Sequence, residues 1–171
     1  MNRDPSRCPV LLLGMGNLLL EDEGLGIRAL ELLQERYSIP PEVEILDGGT
    51  TGMGLLDDMS QREHVLVVDA CQTGDPPGTL VRLADEQVPV YFSMRISPHQ
   101  LGLSDVLATL ELSGEKPAQV TVLGLVPHSL EMCLELSGLI AGKLDTLVAA
   151  VVEELTTMGY PPRHRVNTGT D

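Results

Sequence analysis

The sequence predicts a three-layer α/β sandwich, with a twisted, five-stranded, mostly parallel sheet and helices on both of its faces. Short runs of consecutive apolar residues alternate with longer segments at helical spacing. Apolar runs of this kind are typical of strands that are buried on both faces of a parallel sheet. One link between two runs, at residues 70–78, is too short for a parallel crossover. The strand that follows this link is therefore expected to be antiparallel and to lie at an edge.

The first strand is predicted at residues 10–13, which form an unbroken apolar run. Gly14 and Gly16 follow it, and they allow a sharp turn and close approach of the backbone. Three carboxylates at residues 21–23 then lead into an amphipathic helix, predicted over 24–37. In an open α/β sheet, chemistry usually lies at such a turn, at the carboxyl end of a strand.

The later elements are punctuated by glycine, proline and capping residues. The other strands are predicted at 43–46, 64–69, 79–83 and 120–126. A short helix opens at residue 51 or 52, and a longer one has Ser97 as its N-cap and Pro98 at its first position. Residues 85–95 are predicted to be irregular, with a break at Pro89, and Ser137 can cap a last helix over 139–158.

The 171 residues are expected to form one domain over 10–160, between a short tail at 1–9 and a polar, mobile tail at 161–171. The formal charge of −14 argues against nucleic acid and against an anionic membrane surface, because both need a basic footprint. The sequence contains no secretory signal and no window that approaches a membrane span. The three cysteines are widely spaced and odd in number, which indicates a reducing, cytoplasmic location.

Three residues could form a divalent-metal site. Glu23 follows the first strand, Asp69 ends the third, and His99 begins the helix after the fourth. Oxygen and nitrogen ligands of this kind suit nickel, zinc, manganese or iron, and three protein ligands leave positions open for water or another group. Each residue also has a structural explanation: Asp69 could be a cap, His99 a surface residue and Glu23 part of a solvated turn.

The glycine turn also permits a second interpretation, as a dinucleotide-binding loop. Leu19 replaces the third glycine of that fingerprint, and the acidic residues that follow would repel phosphate. Asp47, at the end of the second strand, could bind a ribose, which keeps this alternative open.

Nucleophilic catalysis has little support, because the chain lacks a GxSxG elbow. Cys71 lies two residues beyond Asp69 and could be a soft metal ligand, a thiol nucleophile or a small loop residue. His128 ends the fifth strand and could line the same edge of the sheet. His64 and His164 are expected at the surface, away from this edge.

Four segments resemble the [NiFe]-hydrogenase maturation endopeptidases. They are GMGNLLLEDEGLGIRALELL, EILDGGTTGMGLLDDM, HVLVVDA and ISPHQLGLSDVL, and they occur in the family order. The resemblance covers nearly the whole of residues 10–158, and the last segment looks most like that of proteases for membrane-bound or periplasmic uptake hydrogenases.

The resemblance implies an enzyme, classed among aspartyl-type peptidases, that removes the C-terminal extension of the hydrogenase large subunit after nickel insertion. The metal-binding residues of the family fall on Glu23, Asp69 and His99, and its DGGT substrate region falls on Asp47, Gly48, Gly49 and Thr50. The nickel belongs to the substrate, although another divalent metal could occupy the same site in a crystal. The implied partner is the nickel-loaded precursor, and the protease is expected to act as a monomer.

Two other functions are kept as alternatives. The chain could be a non-catalytic, nickel-sensing chaperone of the immature large subunit, or, with less support, a dinucleotide-binding protein. Cys71 and His128 depart from the family pattern, and their roles are left open.

Overall fold

The computed structural model of the chain describes residues 6–94 and 98–166, and for residues 98–101 it describes the backbone alone. Ser97, the predicted N-cap, and the ends of both predicted tails lie outside these residues. The division into one domain and two tails stays a prediction.

In the described part of the chain, seven strands form two sheets. The strands are β1 Val10–Met15, β2 Tyr37–Ser38, β3 Val43–Gly49, β4 His64–Ala70, β5 Leu80–Ala84, β6 Gln119–Leu125 and β7 Arg163–His164. The main sheet has the order β3-β1-β4-β6-β5. Its pairs are parallel except β5 with β6, which is antiparallel at the edge. The predicted fold class, a five-stranded mostly parallel sheet with helices, is therefore confirmed.

Helices connect the strands. They are α1 Leu25–Arg36, α2 Leu56–Met59, α3 Gln87–Ser93, α4 Pro98–Ser113, α5 Gly138–Ala141 and α6 Leu144–Thr157. Two 3₁₀ helices add to them: Glu21–Gly24, called the acidic 3₁₀ helix below, and Met53–Leu55. Within the described residues, no helix has both the length and the apolar character that crossing a membrane requires.

The sheet separates two hydrophobic cores. On β1, Leu11 and Leu13 belong to the core shared with α2, α3 and α4, whereas Val10 and Leu12 belong to the core shared with α1 and α6. Side chains alternate between the two faces of a strand, so both faces of β1 are apolar. This explains why the apolar run at the start of the chain shows no alternation with polar residues.

Helix α3 corrects one prediction, because residues 85–95 were expected to be irregular. Pro89 does not break this helix, because it is the third residue of Gln87–Ser93. A proline in the first turn is tolerated, since its missing N–H would have no partner within the helix.

The C-terminal third of the chain corrects one more prediction, the extent of the last helix, and adds a short strand. The last helix was expected to run from 139 to 158, but it is divided into α5 and α6 by Gly142 and Lys143. Residues 163–164, within the predicted C-terminal tail, form β7, which pairs antiparallel with β2. Helix α6 also contacts the edge strand β5, because Arg82 donates two hydrogen bonds of 2.8 Å to Glu154, and this carboxylate raises the pKa of Arg82.

Candidate functional site

The candidate site lies at the carboxyl edge of the sheet, where β1 and β4 end side by side. Gly14 of β1 pairs with Val68 of β4, so Asp69 follows directly along the same edge. Asp69 is 1% exposed, and one of its carboxylate oxygens accepts a hydrogen bond of 2.8 Å from the Ala70 N–H. Asp69 is therefore a buried carboxylate in a fixed position at the end of a central strand.

The glycine turn brings Glu23 to this edge. Gly16 has a φ of +133°, and a Cβ at this position would lie 1.8 Å from the Glu23 carbonyl oxygen. No side chain fits there, and glycine adopts this φ without strain. The acidic 3₁₀ helix thus folds directly over the turn, and it contacts β4. The role predicted for Gly16, close approach of the backbone, is confirmed.

A second glycine holds the start of α1 against the same strands. A Cβ at Gly26 would lie 2.1 Å from the Val68 carbonyl oxygen and 2.5 Å from that of Met15. The backbone of α1 therefore packs directly onto the ends of β4 and β1. This contact fixes Glu23, which is half-buried and lies just before α1, close to the end of β4.

His99 lies in the first turn of α4, and its side chain is outside the described residues. One turn further on, a Cβ at Gly102 would lie 2.5 Å from the Gly52 Cα, in the loop that follows β3. The backbone of α4 thus begins near the carboxyl edge. Within residues 6–94 and 102–166, no cluster of three acidic, histidine or cysteine side chains could hold a metal. The convergence of Glu23, Asp69 and His99 stays a prediction.

The segment Asp47 to Thr50 lies two strands away from Asp69 along this edge. Asp47 pairs with Gly14, and its side chain accepts a hydrogen bond of 2.9 Å from the Gly49 N–H, in a turn where Gly49 has a φ of +51°. A Cβ at Gly48 would lie 2.6 Å from the Met15 sulfur. The turn and this close packing give a structural reason for an aspartate at 47 and glycines at 48 and 49. Their role, and that of the exposed Thr50, in binding substrate stays a prediction.

Cys71 and His128 take different positions. Cys71 is fully buried in the core shared with α4, and its thiol donates to the Asp69 carbonyl oxygen at 3.6 Å. His128 is exposed, and its backbone N–H donates to Asp22. His64 begins β4 at the opposite edge, where it is half-buried, and His164 packs edge-to-face on Tyr37 at 4.9 Å.

Asp22 is a buried residue whose importance the sequence did not indicate. Its side chain is 0% exposed and accepts four hydrogen bonds. The donors are the N–H groups of His128, Ser129 and Ser137 and the Ser137 hydroxyl, at 2.8–3.0 Å. Three consecutive carboxylates gave no signal to show which one is buried. The prediction that Ser137 caps a helix is confirmed, because its hydroxyl also accepts from the Ile140 N–H.

A groove of about 490 Å³ lies beside the loop that follows Asp69. Its lining includes Thr73 of that loop and Val90, Tyr91 and Met94 at the end of α3. The Tyr91 hydroxyl accepts a hydrogen bond of 3.0 Å from the Gln72 N–H, which joins α3 to the loop. The rest of the groove lining comes from Leu83, Glu86 and Gln87, so the groove runs along α3 and the edge strand β5 and, among the described residues, contains none of the candidate site residues.

The chain is similar to known proteins in both sequence and fold. The sequence model of the hydrogenase maturation protease family matches residues 27–154. The chain belongs to this family. The hydrogenase 2 maturation protease of Escherichia coli is 45% identical over 161 residues, which cover 92% of this chain and 98% of that protein. The resemblance noted from the four sequence segments is therefore confirmed.

Solved structures give the same result. The E. coli hydrogenase maturating endopeptidase HybD has a TM-score of 0.88 and 44% identity, over 91% of this chain and 97% of that one. The [NiFe] hydrogenase maturation protease HybD of Thermococcus kodakarensis has a TM-score of 0.70 and 27% identity, over 85% and 97%. This family member is thus an endopeptidase, a hydrolase of peptide bonds.

Membership of this family leaves the dinucleotide alternative without support. The glycine turn is covered by the Glu23 backbone on the side where a Cβ of Gly16 would project. A pyrophosphate bound there would also meet the carboxylates of the acidic 3₁₀ helix.

Proposed function

We propose that the protein removes the C-terminal extension from the precursor of a [NiFe]-hydrogenase large subunit, and that it acts only after nickel has been inserted. The relatives named above are proteases of hydrogenase maturation, and the substrate proposed here is the precursor on which such a protease would act. We place the enzyme in the cytoplasm, as a monomer, where it would meet the newly made precursor.

One observation carries the proposal: two carboxylates are held at the same edge of the sheet by backbone packing. Glu23 lies in the acidic 3₁₀ helix, which packs over Gly16 and contacts β4, and Asp69 is buried at the end of β4. The first turn of α4, with His99, begins near this edge. Rigid elements of the scaffold hold such residues more accurately than loops do.

In the proposed reaction, Glu23, Asp69 and His99 bind the nickel that the precursor carries. Carboxylate oxygens and an imidazole nitrogen are suitable ligands for nickel. Because these three ligands leave the remaining positions to the substrate, the metal would dock the precursor and fix its scissile peptide bond near the site. A precursor without nickel would lack this anchor, so cleavage would report that the metal has been inserted.

The test compares purified precursor in two forms, nickel-loaded and nickel-free. Mass spectrometry follows the loss of the C-terminal extension after the wild-type protein is added. We expect shortening of the loaded precursor alone. Equal cleavage of both forms would contradict the role of nickel, while binding of the loaded precursor without any cleavage would instead support the chaperone alternative.

Substitution of the three residues tests their assignment. Glu23→Ala, Asp69→Ala and His99→Ala should each abolish processing while circular dichroism and thermal unfolding show a folded chain. A variant that cleaves at the wild-type rate would remove that residue from the site.

A further inference from the structure

A cluster of exposed apolar side chains lies beside the candidate site. Among the described residues, eleven large hydrophobic side chains are exposed, and four of them come from residue 19 and the loop at 130–134. These four, called the apolar patch, are Leu19, Leu130, Met132 and Leu134, with exposed fractions of 59%, 39%, 89% and 63%. Single exposed hydrophobic residues are normal on a protein surface, but a contiguous group marks an interaction site.

Backbone hydrogen bonds bring the two segments of the patch together. The Glu21 N–H donates to the Cys133 carbonyl at 2.9 Å, and the Cys133 N–H donates to the Leu19 carbonyl at 3.1 Å. Leu20 and Cys133 thus form a parallel β-bridge. Met132 and Leu134 flank Cys133 in the chain, so they are presented next to Leu19.

Polar contacts hold the backbone of the loop that carries the patch, while the side chains of the patch are largely exposed. Asp22 accepts the hydrogen bonds of His128, Ser129 and Ser137, which fix both ends of the loop. The Arg28 guanidinium donates to the Leu134 carbonyl at 3.3 Å. Ordering a loop costs conformational entropy, and here that cost is not offset by burying Met132 or Leu134 in the core. A preordered apolar surface of this kind lowers the cost of binding a partner.

The surroundings of the patch are acidic. Leu134 also lines a groove of about 490 Å³ between α1 and the loop, together with Glu31, Glu35 and Glu135. Arg28, the one basic residue in the lining of this groove, already forms an ion pair with Glu31 at 3.0 Å. A matching partner surface is therefore apolar and flanked by lysine or arginine.

We infer that the apolar patch and the adjoining acidic groove dock an apolar, basic-flanked surface of the hydrogenase precursor, outside the peptide bond that is cleaved. This inference rests on the proposed function, and it assigns to the patch a role in affinity. Leu19 and Glu23 belong to one short segment, so a precursor bound at the patch is held close to the candidate site. The patch would therefore contribute to KM and not to kcat, whereas Glu23, Asp69 and His99, which hold the nickel and fix the scissile bond, would affect kcat as well as KM.

Matched single substitutions test this assignment with nickel-loaded precursor. Met132→Glu and Leu134→Glu place a charge in the patch. Leu112→Glu is the control, because Leu112 is 90% exposed, like Met132 at 89%. It lies at the end of α4, before β6 begins, and therefore near the amino edge of the sheet, away from the patch. We expect KM and the dissociation constant to rise about tenfold or more in the first two variants, with kcat unchanged, and no change in the control.

The outcomes separate this inference from the proposed function. If the wild-type protein binds the precursor without cleaving it, and the patch variants bind more weakly, docking stands and the protease proposal fails. Equal affinities for wild type, the patch variants and the control would overturn docking even if cleavage is normal. No binding by the wild-type protein would also overturn it. Circular dichroism and thermal unfolding establish that each variant is folded.

The acidic groove gives an independent readout. Rising sodium chloride should raise KM for the wild-type protein, because attraction between exposed charges is screened. Glu135→Gln should make this salt dependence shallower. A salt dependence identical to that of the wild-type protein would remove the groove from the docking surface.

Discussion

Two buried charged residues, Asp22 and Arg62, organise opposite edges of the sheet in different ways. Asp22 is 0% exposed at the carboxyl edge and accepts four hydrogen bonds from the loop at 128–137. Arg62 is 3% exposed at the amino edge. It donates to the Asp58 and Cys8 carbonyls at 2.7 and 2.8 Å and to the Glu44 carboxylate at 2.6 Å.

The difference lies in what each residue holds in place. Arg62 joins the N-terminal segment, β3 and the end of α2, so its bonds connect elements of the fold itself. Asp22 holds a loop whose Met132 and Leu134 side chains face solvent. One buried charge therefore stabilises the scaffold, and the other preorganises a surface next to the candidate site. Substitutions at the amino edge should therefore lower stability alone, whereas those at the carboxyl edge should also impair activity.

The largest effect is expected for Gly16→Ala, which strikes the carboxyl edge directly. The new Cβ would overlap the Glu23 carbonyl oxygen, and alanine is strained at this φ. Overpacking and backbone strain together should lower the free energy of unfolding by about 3 kcal/mol or more. Urea denaturation measures the loss, and processing should fall with it because Glu23 is displaced. A stable, active variant would show that the turn is more adaptable than the packing indicates.

Arg62→Met should lower stability without changing the enzyme's kinetics. The variant keeps much of the side-chain volume but loses the three hydrogen bonds, at a cost of about 1.5–3 kcal/mol. Glu44 is partly exposed and stays solvated. The urea midpoint should fall while kcat and KM for the precursor stay at wild-type values. A changed KM would mean that the amino edge also contributes to binding.

Asp22→Asn should lower stability by about 1–3 kcal/mol and also raise KM. An asparagine NH₂ cannot accept the hydrogen bonds of the backbone N–H groups that it would face. The loop would loosen, and the apolar patch would lose its fixed position. The matched control is Glu21→Gln, which makes a similar change in the same 3₁₀ helix. A rise in KM of the same size for both variants would argue against the anchoring role of Asp22.

The smallest effect is expected for an exposed ion pair that belongs neither to the hydrogen bonds of Asp22 nor to those of Arg62. Glu111 and Lys116 lie 3.2 Å apart, and both are largely exposed. Such pairs contribute about 0–1 kcal/mol. Glu111→Gln should therefore leave the thermal midpoint and the kinetics almost unchanged, and a loss comparable to that of Arg62→Met would contradict the comparison.

Periodicity, turns and chain-link lengths were enough to predict the main sheet, because they are local properties. The antiparallel edge strand β5 followed from a link that was too short for a crossover. Helix α3 could not be predicted, since Pro89 is tolerated only by virtue of its place in the first turn. The division between α5 and α6 also depends on packing that the pattern of apolar residues does not report.

For the candidate site, the sequence indicated Glu23 and Asp69 because both follow strands at one edge. It could not distinguish Asp22 from its acidic neighbours, because burial depends on a loop more than a hundred residues away in the chain. The patch was equally hidden, since Met132 and Leu134 have the composition of core residues. Their exposed position next to Leu19 depends on a tertiary contact, the bridge between Leu20 and Cys133.

The role of Glu23 is tested most directly by comparing Glu23→Gln with Glu21→Gln on nickel-loaded precursor. Both substitutions remove one negative charge from the acidic 3₁₀ helix, and both residues are half-buried. Loss of an outer-shell partner of a metal ligand already costs about 10–100-fold, so we expect kcat to fall about 100-fold or more for Glu23→Gln, with product formation followed by mass spectrometry, and to stay near wild type for Glu21→Gln. Equal rates in the two variants would contradict this role.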